Sequence, residues 1–88
     1  MKMAEFPMRF VTDDRFYEIN VYQDMFDDWV VVCDYGSRKT RAGQRKIIAM
    51  EDKKSALKRA DEIANVRYRH GYERIHPLQS DYLGFKEI

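Results

Sequence analysis

Apolar side chains recur at every second position in two stretches of this chain, occupy both faces of two more, and recur at helical spacing in a fifth. Over residues 5–12, Phe6, Met8 and Phe10 share one face and Arg9 takes the other, a strand pattern. Pro7 cannot donate to a ladder, so this strand is expected at a sheet edge. Asp13-Asp14 marks a turn. Residues 15–23 alternate again, with Tyr17, Ile19 and Val21 opposite Glu18 and Asn20. The acidic stretch 24–28 is a short hairpin connection. Residues 29–35 are apolar on both faces, as in a strand with neighbours on both sides. A polar loop bracketed by Gly36 and Gly43 follows, and residues 44–50 return as a fourth strand.

From Asp52 the period changes. Its carboxylate suits a helix N-cap, and Leu57, Ala60, Ile63, Ala64 and Tyr68 form one stripe of a helix predicted over 53–70. Gly71 fits the left-handed residue that commonly ends a helix. Residues 72–88 keep Tyr72, Ile75, Leu78, Tyr82, Leu83 and Phe85, which predicts a docked tail or short strands. The fold class is therefore α+β, an antiparallel sheet of four or five strands with one long helix packed across it.

Composition narrows the classes. Eighty-eight residues make a single domain, and 44% hydrophobic with 14% aromatic content supplies a dense core. No apolar run approaches a membrane span, and residues 1–10 carry no signal-peptide pattern, so a soluble cytoplasmic protein is expected. The lone cysteine, Cys33, excludes an internal disulfide and a cysteine zinc cluster. It falls within an apolar strand, where buried structural thiols are commoner than nucleophiles. His70 and His76 have no third ligand at metal spacing, and no phosphate-binding or dinucleotide fingerprint is present. These absences predict a protein that is not an enzyme and needs no cofactor or metal.

Charge adds the one sharp feature. The net charge is +1, but residues 1–34 carry three basic against eight acidic groups, −5, and residues 35–88 carry thirteen against seven, +6. Five of those cations (Arg38, Lys39, Arg41, Arg45 and Lys46) lie within nine residues free of acids. At a hairpin tip such a cluster attracts phosphates, with Tyr35 at its mouth placed to stack on a base or sugar and Gly36 and Gly43 allowing close backbone approach. The plainer account is a solvated hairpin whose charges keep an exposed edge from aggregating. The helix adds four net positive charges, which alone indicates only a solvated face.

The run from Phe16 to Val32, including Tyr17-Glu18-Ile19-Asn20-Val21-Tyr22 and Asp24-Met25-Phe26-Asp27-Asp28-Trp29, resembles the opening of the WGR domain. Thr40-Arg41-Ala42-Gly43-Gln44 resembles the loop after that family's signature. Arg69-His70-Gly71-Tyr72 is similar to the end of its helix, and His76-Pro77-Leu78-Gln79-Ser80-Asp81-Tyr82 to the tail it carries in poly(ADP-ribose) polymerases. The resemblance covers residues 15–84, with residues 1–14 as an added N-terminal edge strand. The signature reads Tyr35-Gly36-Ser37 here, so its Trp and Arg are both replaced, and Asp27 stands where the family has Gly.

What the resemblance implies is a non-catalytic module of the kind found in short bacterial proteins, with an antiparallel sheet crossed by one helix. Its implied partner is DNA, bound weakly and without sequence preference through Tyr35, Gly36, Arg38, Lys39, Arg41, Arg45 and Lys46. Ser37 cannot replace an Arg fork. The competing expectation is a protein-interaction or self-association module that binds no nucleic acid. Its sequence cues are the opposed charge of the two halves and an apolar patch around Phe6, Phe10 or Phe85.

Overall fold

The computed structural model describes residues 6–40 and 42–76. Five strands, β1 (Met8–Val11), β2 (Arg15–Gln23), β3 (Trp29–Ser37), β4 (Gly43–Met50) and β5 (Glu73–Ile75), form one antiparallel sheet in the order β4-β3-β2-β1-β5. The helix α1 (Lys53–Arg69) crosses one face. The α+β architecture anticipated from the alternation is the architecture observed.

The elements form where local chemistry places them. Asp52 accepts from Ser55 N at 2.7 Å and starts α1, and Gly71 turns left-handed after it, at φ 85°. Asp27 also takes a left-handed conformation, at φ 67°, which Asp tolerates better than most side chains. β3 runs two residues beyond the expected strand, to Ser37, because Gly36 faces Gly43 across the β3–β4 pair. A Cβ on Gly36 would sit 2.0 Å from the carbonyl oxygen of Ala42. These glycines therefore admit the partner strand, and the expected close approach of backbone to ligand is not what requires Gly36.

One expectation about order changes. β1 is not an edge: β5 pairs on its outer side, with Arg9 opposite Ile75. Pro7 precedes the paired residues, so its missing N–H interrupts no ladder bond. β5 and half-buried Tyr72 account for the start of the apolar tail; residues 77–88 lie outside the described residues.

The core lies between sheet and helix. Met8, Phe10, Ile19, Val31 and Cys33 meet Ala56, Ala60 and Ala64. The buried stripe of α1 is thus one of alanines at i, i+4 spacing. It admits close approach of the helix backbone to the sheet. Leu57 and Ile63 are only half-buried and Tyr68 is exposed along its outer part, though its ring meets Phe10 edge-on at 5.3 Å. Fully burying side chains such as Phe10, Ile19 and Val31 contributes about 1.5–3 kcal/mol each. On the opposite face, ion pairs run across the strands from Arg9 to Glu18 (3.2 Å) and from Arg45 to Asp34 (2.7 Å).

Candidate nucleic-acid interface

The β3–β4 end of the sheet carries a cleft of about 410 Å³ on the helix side, bounded by Arg15, Tyr35, Gly36, Ser37, Gly43 and Gln44. Strand alternation builds it. Arg15 faces Ser37 and Tyr35 faces Gln44 in the registers of β2, β3 and β4, so these side chains share one face. The Tyr35 ring lies parallel to that of Tyr17, centroids 5.3 Å apart, and its hydroxyl donates to Gln44 Oε1 at 3.3 Å. Behind this pair the Arg67 guanidinium lies 4.4 Å over Tyr17 and 5.2 Å from Tyr72. Burial, together with a hydrogen bond to Cys33, pushes the Tyr17 phenol well above its ordinary range, so it stays neutral. The result is a rigid aromatic stack with a cation at its back.

The loop at 38–42 is closed by its own hydroxyls. Ser37 Oγ accepts from the N–H groups of Lys39 (3.1 Å) and Thr40 (3.3 Å), and Thr40 Oγ1 accepts from Ala42 N (3.2 Å). Ser37 thus shapes the loop.

The expected cation cluster is divided. Arg38 is tied to the turn between β1 and β2, its backbone N–H donating to Asp14 O and its guanidinium to Thr12 O. Arg45 forms a two-bond contact with Asp34 on the far face of the sheet, at 2.7 and 3.1 Å. Lys46, next in the strand, points to the helix side, and Lys39 is exposed in the loop. Arg41 lies outside the described residues. Tyr35 and Gly36 therefore meet at the cleft, whereas Arg45 and Lys46 diverge.

Sequence reasoning missed Arg15, Tyr17, Gln44 and Arg67. The five-residue turn at 24–28 sets the pairing that puts Tyr17 beside Tyr35 and Arg15 beside Ser37, so that much was available. Arg67 depends on the path of α1 over the sheet, which no spacing states.

Cys33 is fully buried at the sheet centre, and burial raises its thiol pKa, which leaves no exposed thiolate for nucleophilic chemistry. No cluster of metal-ligating groups occurs among the described residues, and no described helix is long and apolar enough to cross a membrane.

A small sheet crossed by one helix, with an open cleft at a hairpin end, is the build of a binding-type domain. The chain matches the family model of the WGR domain over residues 7–79 and belongs to that family. WGR domains are generally nucleic-acid-binding modules and are not catalytic by themselves. The match begins at residue 7, so it takes in β1. No curated protein and no solved structure matches the chain.

Proposed function

We propose that this WGR domain binds DNA weakly and without sequence preference at the β3–β4 end, in the cytoplasm and without a cofactor. The observation that carries the reading is the Tyr35–Tyr17 stack at a cleft shared with Arg15. A fixed ring accepts a sugar or base by its face, and stacking is tolerant of sequence because every base has one. Arg15, Lys39 and Lys46 supply phosphate contacts, and Arg38 and Arg41 belong to the same basic stretch of the sequence. Phosphate contacts position a strand but carry no sequence information directly.

Weak binding follows from the division of the cluster. Arg45 is already engaged by Asp34. Three phosphate contacts give a salt slope of about −3 on B-form DNA.

Fluorescence anisotropy with nicked, blunt-ended and single-stranded DNA at low salt tests this. Salt-sensitive binding is expected, with Lys39→Ala lowering the slope by about 1 and Tyr35→Ala weakening every DNA. Absence of salt-sensitive binding by the wild type overturns the reading.

A further inference from the structure

At the end of the sheet away from the cleft, the β2–β3 turn presents Met25 and Phe26, 87% and 76% exposed. Single exposed apolar residues are ordinary; two adjacent large ones on a rigid apex are not. Asp24 Oδ1 accepts from both Phe26 N and Asp28 N at 2.9 Å. The Asp24 N–H donates to Asp28 O at 2.8 Å, and Gln23 Nε2 donates to Asp27 O at 3.2 Å. The two side chains are thus held out by a closed turn, and docking them costs little ordering entropy. Asp24, Asp27 and Asp28 surround them, so the fitting partner has an apolar floor and a cationic rim, and is neither an anionic membrane nor a nucleic acid.

The chain itself carries such a surface. Between α1 and β4 lies a groove of about 450 Å³ with Ile48 and Met50 beneath and Ser55, Lys58, Arg59 and Glu62 along its helix rim, two cations to one acid. Exposed Lys46 follows along the same side of β4. Arg59 meets Glu62 at 3.5 Å on the surface, whereas Lys58 pairs with no acid among the described residues and is the principal cation offered to a partner's carboxylate.

We propose that two copies of this chain form a closed dimer, the Met25-Phe26 turn of each seated in the α1–β4 groove of the other. Met50 pairs with Trp29, the first residue after the turn, so turn and groove lie at the same end of the molecule. A twofold axis there lets both contacts form at once, as an isologous interface requires. The inference does not rest on DNA binding. It replaces the apolar patch expected at Phe6, Phe10 or Phe85: Phe10 is fully buried, Phe6 packs on the core, and Phe85 lies outside the described residues.

Sedimentation equilibrium of the full chain without DNA, from micromolar to millimolar, reads the dimer directly. The wild type is expected to pass from monomer to dimer. Phe26→Ser, and independently Met25→Ser, should weaken association at least about tenfold with the melting temperature of the dilute, monomeric protein unchanged. Asp28→Lys and Lys58→Glu should each weaken it too. Their equimolar mixture should recover it, because the heterodimer joins one reversed and one native charge pair. A wild type that stays monomeric, a dimer indifferent to both apolar substitutions, or a mixture no tighter than its components overturns the proposal.

Discussion

The two ends of β3 are closed by different means. The 24–28 turn is closed locally, by the Asp24 carboxylate, its own backbone and the adjoining Gln23 side chain. The 38–42 loop is held from outside as well. Arg38 reaches back to Thr12 and Asp14, and the strands beneath it close only because Gly36 meets Gly43. A self-contained turn can change without disturbing the sheet. The candidate binding end is coupled to the β1–β2 turn and to the pairing of β3 with β4, so its geometry is a property of the whole fold.

Gly36→Val tests that coupling most severely. A Cβ there would lie 2.0 Å from the Ala42 oxygen and 2.6 Å from Gly43 Cα, so a loss of about 3 kcal/mol is expected. Calorimetry should show a melting point lower by roughly 12–24 °C, with DNA binding lost alongside it; a wild-type melting curve would mean the strands can separate at no cost.

Asp24→Ala comes next, at about 1–2 kcal/mol, because two turn N–H groups lose their acceptor. Anisotropy should show DNA binding unchanged, and a parallel loss of binding would erase the distinction between the ends.

Asp27→Gly should be mildly stabilising, by about 0.5 kcal/mol, since a left-handed φ strains Asp more than Gly. Denaturant unfolding resolves the sign.

The smallest effect is one of pH. The Ser55 N–H bond holds the Asp52 carboxyl below its ordinary pKa. Its stabilisation is therefore complete above the unfolded-state pKa and is lost as pH falls through the lower folded-state value. The exchange protection of the Ser55 N–H, relative to its intrinsic rate at each pH, should fall in acid, while Lys39 and Thr40, held by the Ser37 hydroxyl, should show no such added loss of protection.

Most of the fold was legible because most of it is locally determined. Alternation marked β1 and β2, short apolar runs between turns marked β3 and β4, Asp52 and Gly71 bounded the helix, and the turn at 24–28 fixed the pairing of β2 with β3. The interior position of β1 was not legible, since it depends on β5, three residues with no pattern of their own. The binding end was half legible. Tyr35 stood out as an aromatic beside cations, but proximity along the chain overstated the cluster: side chains of adjacent strand residues leave opposite faces, and Arg45 went to Asp34. The apolar stripe names Leu57, yet Ala56 is the residue buried with Ala60 and Ala64, because a helix lying close on a sheet needs the smaller side chain.

Cys33 gives this protein a built-in reporter. Its thiol is completely enclosed at the centre of the sheet, opposite Ile19 and Lys46, and is held protonated by burial. An alkylating reagent can reach it only when the middle of the sheet opens. The rate at which the untouched chain is labelled therefore times that opening, without a probe being introduced.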